Sequence, residues 1–434
     1  MFSKDNIFRF FPVALTICLG TVAIVVLGPD NDRFGDGGDY MGAARMILEK
    51  GTYPQVCSLP FFRPPLYPLF IASIWSVFPG SILALKISEV LLNGVTCWII
   101  FRTAERITAN RITAFVAATL FAVNPFFIVQ SVATQSENLQ IFLISLAMFI
   151  LAGLILSDKM TAKAGLGLGL IFGLAALSKP SALGVGLFLA VVLFLLRFRH
   201  QGVTKAVAAM VLGIFLAILP WSFYNLKTTG EFILVNDAGG YNLWFGNIPE
   251  SARLYKGPFE KPEDAGPYQD YLQVAFAQQQ IDRWEQTGGY GSLSLKGREA
   301  LWRNKAVEIM VADPAGTLKL FAWKFVALWR PFLNPVASSA KTVILSGLFL
   351  MPLYLFGFIG IFRMSRKDRT VKIVWLFAAL AAIVTVIHVI LVSSIRLRLP
   401  YIDPMLTIFA GIGLGSMLPE LLKQFAFLNF SRQS

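Results

Sequence analysis

The sequence predicts an all-α integral membrane protein of about ten transmembrane helices, within a range of about 8–12, with interfacial helices and an external loop cap. Three observations predict it. Of 434 residues, 56% are hydrophobic and only 15% charged; mean hydropathy is +0.64. Stretches of about 18 to 22 residues almost free of charge recur along the chain, each long enough to cross a hydrocarbon core of about 30 Å at about 1.5 Å per residue. Lys and Arg cluster at alternate ends of those stretches, as a polytopic protein requires. This balance excludes a water-soluble domain of such size. The net charge of +13 is spread over short loops and lacks the dense basic face of a nucleic-acid module, so no nucleic-acid partner is expected. Cys18 and Cys97 lie in apolar runs and Cys57 in a polar loop, which implies neither a disulfide framework nor a cysteine-metal site.

The spans fall roughly at 8–28, 82–101, 112–130, 138–156, 164–178, 182–197, 206–225, 342–362, 372–392 and 401–418. Lys4 and Arg9 precede the first run, which is longer than a usual signal-peptide core and lacks a small-x-small cleavage site; it reads as an uncleaved span. The further basic clusters are Arg102, Arg106 and Arg111; Lys159 and Lys163; Arg197, Arg199 and Lys205; Arg363, Arg366, Lys367, Arg369 and Lys372; and Lys423 with Arg432. One orientation places them all in the cytoplasm, with both termini. Two long external segments remain, about 29–81 and 227–341. The expected organisation is an N-terminal membrane module, 1–225, a loop cap, 226–341, and a C-terminal membrane module, 342–434. In the first segment an apolar run to Phe78 reads as a re-entrant or interfacial helix. In the second, 236–247 reads as ordered turns, about 268–312 as polar helix, and Leu318 to Trp329 as an amphipathic helix at headgroup level.

Chemistry-bearing residues collect at external span ends. Gly35-Asp36-Gly37-Gly38-Asp39-Tyr40 places two carboxylates three residues apart before a helical stretch ending near Gly51. Carboxylates partly withdrawn from water accept protons more readily, which suits activation of a hydroxyl or amine; equally, they cap the helix that follows. Arg63 before Pro64-Pro65 presents a rigid guanidinium fitted to a phosphate oxygen, or anchors to lipid headgroups. Ser136-Glu137 opens a span, with Ser136 as its cap and Glu137 either functional or favouring the helix dipole. Lys179-Pro180 splits an apolar stretch, and Arg396-Leu397-Arg398 stands against the external charge bias; both point to an anion, or to interfacial anchoring. His200 and His388 lie in a loop and within a span, and form no metal constellation. No P-loop and no nucleophilic Ser or Cys motif occurs.

In order, Asp36, Asp39, Tyr40 and Ala44, then Arg63 to Tyr67, Glu137, Lys179-Pro180 and Arg396 to Pro400 resemble the C-type superfamily of integral-membrane glycosyltransferases, in the branch of protein O-mannosyltransferases and the lipid A aminoarabinose transferase. The resemblance implies a glycosyltransferase that moves a sugar, with inversion, from a polyprenyl-monophosphate-sugar donor to a lipid, glycan or protein acceptor at the external membrane face. It implies Asp36 as general base, with Asp39 or Glu137 orienting a substrate. Arg63, Lys179, Arg396 and Arg398 are then candidates for the donor phosphate, and Tyr40, Tyr67, Tyr241, Trp244 and Asn247 for sugar or acceptor. Family members often carry an Asp-Glu pair where Gly37 follows Asp36 here, which leaves the roles of Asp36 and Asp39 open. Larger relatives carry a soluble domain after the last span; acceptor recognition is expected here from the external loops. No cofactor is required, and scattered carboxylates do not support a divalent metal, although some members of the superfamily need one. A bacterial inner membrane is the expected location. The competing class is a non-enzymatic carrier or flippase of an isoprenoid-phosphate lipid, which also needs anion-binding arginines but usually places ionisable groups near the bilayer midplane.

Overall fold

A computed structural model describes residues 4–28, 36–54, 62–157, 160–195, 202–251, 269–335 and 338–417. Cys57, Gly35, Lys159, Arg197, Arg199, His200, Lys423 and Arg432 lie outside them. The described residues form helices and no strand. Six helices are long and apolar enough to cross a membrane, with spans at Phe8–Leu27, Ile82–Thr108, Glu137–Leu156, Val203–Thr229, Ala340–Ser365 and Thr370–Ile390. The other four expected spans appear as shorter apolar helices.

The helices, in order, are α1 Lys4–Leu27, α2 Gly37–Lys50, α3 Leu66–Trp75, α4 Ile82–Thr108, α5 Arg111–Ala122, α6 Pro125–Gln130, α7 Ser136–Leu156, α8 Ala162–Ser178, α9 Ser181–Leu195 and α10 Val203–Thr229. The cap contributes α11 Gly239–Asn247, α12 Gln269–Gly288, α13 Leu295–Ala312 and α14 Pro314–Trp329. The chain then returns through α15 Ala340–Ser365, α16 Asp368–Ile390, the single turn α17 Ile395–Arg398 and α18 Asp403–Gly415. Local sequence explains the breaks. Gly51 takes the left-handed conformation that closes α2, at φ 63°. The expected span 112–130 divides because Pro125 cannot continue a helix, and Asn124 caps the new one by accepting from the Phe126 N–H at 3.0 Å. Lys179-Pro180 likewise separates α8 from α9.

Without a hydrophobic drive between helices in lipid, small residues set their approach. Gly165 and Gly169 let α8 lie directly on the α10 backbone: a Cβ at either would collide with the carbonyl of Ala206 or Met210. Gly167, on another side of α8, has open space. Gly169→Val is therefore expected to destabilise the protein by about 3 kcal/mol, because a backbone oxygen cannot step aside, while Gly167→Val changes it little. Thermal unfolding of the two variants in detergent checks this; equal midpoints would refute the close packing.

The cap is fastened to the bundle by a strap, 231–238, lying beside the end of α10. Asn225 Nδ2, Ser222 Oγ and Trp221 Nε1 donate to the carbonyls of Ile233, Leu234 and Val235 at 3.0, 2.9 and 2.7 Å. At its start the Glu231 carboxylate accepts from the Leu295 and Lys296 N–H groups at the head of α13. Near its end Asn236 Nδ2 donates to the Phe62 carbonyl at 3.2 Å, and Asp237 accepts from the Phe62 N–H at 3.3 Å.

Candidate active site

The site is assembled from helix ends that chain order keeps far apart. Asp36 stands at the N-cap position of α2, but its side chain makes no cap bond. Its carboxylate accepts instead from Arg63 Nη2 at 2.7 Å and from Arg396 Nη2. Asp39, in the first turn of α2, accepts from Arg63 Nε and Nη2 at 3.0 and 2.9 Å. The capping reading of this aspartate pair is thereby replaced by a shared guanidinium. Arg63 is held from behind, since the Tyr53 hydroxyl donates to the carbonyls of Arg63 and Pro64 at 2.8 and 3.2 Å. Its guanidinium lies 5.6 Å from the Tyr40 ring centroid.

Glu137 opens α7 with its side chain fully buried, and accepts from Lys179 Nζ and Arg396 Nε. Ser136 is not the cap expected; α7 begins at Ser136 itself, and its hydroxyl accepts from Tyr40 at 3.2 Å. The result is one alternating chain of charges: Asp39, Arg63, Asp36, Arg396, Glu137, Lys179. Three carboxylates meet three cations, so the network is formally neutral. It forms one wall of a cavity of about 520 Å³, to which Asp36, Tyr40, Arg63, Lys179 and Arg396 contribute. Leu183, Gly184, Ile387 and Leu391 supply apolar lining, and Asn236 and Asn242 close it from the cap.

Burial alone would raise the Asp36 carboxyl. Arg396 and Arg63 overrule it and hold the group well below the usual carboxylate range. This corrects the sequence expectation of a carboxylate made basic by desolvation: at rest Asp36 is an ion and a poor base. Burial likewise keeps the Tyr40 hydroxyl protonated, raising it above the ordinary phenol range.

Asp237 is the reverse case. Burial pushes it from 3.8 up to about 7, with Glu299 adding to the rise and its backbone hydrogen bonds and Arg298 opposing it. A raised folded-state value means that the uncharged form favours folding. Stability is then full below about pH 4 and lost progressively as pH rises through about 7. Asp237→Asn keeps an acceptor for the Phe62 N–H. Its thermal midpoint is expected to exceed that of the parent by a gap that widens from about pH 4 to pH 7 and then levels off. A gap independent of pH would refute the shift.

Of the predicted site residues, Asp39 and Glu137 belong to the charge chain without lining the cavity, and five more lie apart from both. Arg398, fully buried, donates Nε and Nη2 to Asp403 at 2.8 and 3.0 Å, and Nη1 to the Leu328 carbonyl at 3.0 Å and to Tyr354. It ties α17 to α14, α15 and α18 and does not reach the cavity wall. Tyr67 is buried against Tyr40, ring centroids 4.9 Å apart, and donates to Glu89. Tyr241 and Trp244 form the core of the cap with Trp302, at 5.3 and 4.5 Å. Asn247 donates to the carbonyls of Leu243 and Ile390 at 2.7 and 3.0 Å, and accepts from Lys324 Nζ at 3.0 Å. Lys324 is itself buried, unlike the headgroup-facing lysine expected of α14. Conversely, Asn236, Asn242, Ser178, Ser181, Ser394 and His388 line the cavity, and the sequence reading did not select them. Only His388 carried a signal, as a polar residue close to the end of an apolar span. Among the described residues no group of three His, Cys, Asp or Glu side chains is placed to hold a metal.

Residues 62–224 match the family model described as dolichyl-phosphate-mannose-protein mannosyltransferase. Comparison with curated proteins gives no match. Among solved structures the chain is similar to the oligosaccharyltransferase AglB of Archaeoglobus fulgidus in complex with an inhibitory peptide and a dolichol-phosphate, at TM-score 0.55 and 14% identity, over 98% of this chain and 52% of that one. The apo form of the Archaeoglobus fulgidus oligosaccharyltransferase gives TM-score 0.54 at 14% identity, over 97% and 52%. ArnT of Cupriavidus metallidurans bound to undecaprenyl phosphate gives 0.43 at 12% identity, over 94% and 77%, a similarity too low to argue from. The chain thus shares the fold of the matched part of the archaeal oligosaccharyltransferase, and spans about half the length of that enzyme.

Proposed function

We propose that this protein is an inverting glycosyltransferase that takes a sugar from a polyprenyl-monophosphate-sugar and passes it to an acceptor at the external face of a bacterial inner membrane. The observation that carries the reading is the neutral chain of three carboxylates and three cations on the cavity wall. The mannosyltransferase family match and the fold support it.

The donor phosphate is a diester with one negative charge. On a wall whose charges already balance, it must share cations with the resident carboxylates. Arg396 and Lys179 line the cavity and have the chemistry to serve it. As Arg396 turns part of its hydrogen bonding to the phosphate, the force that keeps Asp36 ionised weakens, and its proton affinity rises toward what burial alone dictates. Asp36 then takes the proton of the acceptor hydroxyl or amine. The acceptor's lone pair forms the new bond to the anomeric carbon, and the carbon–oxygen bond to phosphate breaks with its electron pair leaving on the phosphate. The cations stabilise that departing charge, so no acid is needed. A diphosphate donor brings further negative charge to a wall with no cation in excess, which favours the monophosphate. Asp39 shares Arg63 with Asp36 and orients it; Glu137 bridges Arg396 and Lys179 through one oxygen.

Transfer of labelled sugar from a panel of polyprenyl-phosphate sugars by the purified protein tests the proposal. Transfer is the expected result. Absence of transfer from every donor, with lipid translocation in vesicles, would overturn it in favour of a carrier.

A further inference from the structure

We propose that the end of the bundle remote from the cavity holds a site for one anionic phospholipid, with its phosphate on Arg106 and an acyl chain in the groove beside it. The site is independent of the catalytic reading. Glu137 opens α7 at the cavity, and Gly153 lies about 24 Å further along the same helix at about 1.5 Å per residue. There the guanidinium of Arg106, near the end of α4, lies 4.1 Å from the Phe149 ring centroid and donates Nη1 to the Phe149 carbonyl at 3.2 Å. Gly153 makes room for it, because a Cβ at that position would collide with Nη1 and with the guanidinium carbon. The side chain is thus fixed by contacts that leave its charge uncompensated, and the residue remains exposed.

Among the described residues, cations outnumber carboxylates here. Arg9, Arg102 and Arg111 all share the single carboxylate of Glu105, at 3.9, 3.0 and 3.5 Å. Arg106 has no ion pair among the described residues. A groove of about 440 Å³ opens at this point, lined by Arg106, Ile150, Gly153, Leu154, Leu156 and Ser157. A cationic head above an apolar flank matches an amphiphile: Ile150, Leu154 and Leu156 offer a free anion nothing, and the excess positive charge favours an anionic over a zwitterionic headgroup.

The test uses the full-length protein in detergent, with phosphatidylglycerol, phosphatidylcholine and inorganic phosphate as probes, read by native mass spectrometry and thermal midpoint. Phosphatidylglycerol is expected to remain bound with a stoichiometry of one and to raise the midpoint, and the other two to do neither. Arg106→Gln is expected to weaken phosphatidylglycerol binding about fivefold, the effect of one arginine at an anionic surface. Gly153→Leu, which displaces the guanidinium and fills the groove, is expected to do the same while retaining every charge. Midpoints without lipid show that each variant folds, and either folded variant suffices. Unchanged phosphatidylglycerol binding in a folded variant, an equal response to phosphatidylcholine, or the same shift from inorganic phosphate alone would overturn the proposal.

Discussion

Asp36→Asn is expected to lower glycosyl transfer by at least about a hundredfold, the usual contribution of a positioned general base, with donor binding retained. Asparagine keeps one of the two oxygens, which accept separately from Arg63 and Arg396, and cannot take the acceptor's proton. It also removes one negative charge from a balanced wall, so donor affinity is expected to rise or hold while turnover collapses. That separation of kcat from KM distinguishes a base from a scaffold residue. Arg396→Gln is expected to move both quantities, because it removes a cation from the phosphate and frees Asp36 together. Turnover unchanged in Asp36→Asn would transfer the base to Asp39 or Glu137.

The largest effect on stability is expected at Arg398. Its guanidinium and the Asp403 carboxylate are both fully buried and bonded through two N–H groups. Arg398→Met strands the carboxylate, and breaking a buried pair from one side costs about 3–5 kcal/mol. Arg398→Met combined with Asp403→Leu is expected to recover much of that loss, since the unpaired charge is removed with its partner. Unfolding midpoints of the single and double variants measure this. A single variant as stable as the parent, yet impaired in donor binding, would return Arg398 to the active site.

The contrast between Arg396 and Arg398 shows where sequence reading ends. Both arginines stand out in sequence, because cations at a span end that the charge pattern assigns to the external side run against the bias. Two residues apart on a helical turn, they cannot face the same way. One joins the cavity wall and the other the bundle interior, and nothing in Arg-Leu-Arg says which. Asp36, Arg63, Glu137 and Lys179 were legible for the same reason, as charges at the borders of apolar runs. Their assembly into one chain was not, since it depends on how α2, α7, α8 and α17 converge. Nor was the direction in which Asp36 shifts: desolvation can be read from a membrane-edge position, whereas the opposing arginines arrive from remote segments. Tyr241 and Trp244 show the ambiguity of aromatics, which stack on sugars and on one another with equal ease. The helices themselves were the clearest feature, because apolar length and Pro or Gly breaks are local properties.

The middle of the strap, 233–235, is held through its own carbonyls, gripped by Trp221, Ser222 and Asn225 of α10, while side chains hold its two ends. Carbonyls are common to every amino acid, so the grip on this middle part does not depend on which side chains residues 233–235 bear. Leu234, one of the most exposed of them at 38%, faces the cavity without serving that attachment. The wall therefore has the character of an interchangeable panel on a permanent frame. The lining of the cavity can be changed at Leu234, and at Asn242 just beyond the strap, while the membrane bundle and its charged wall stay as they are.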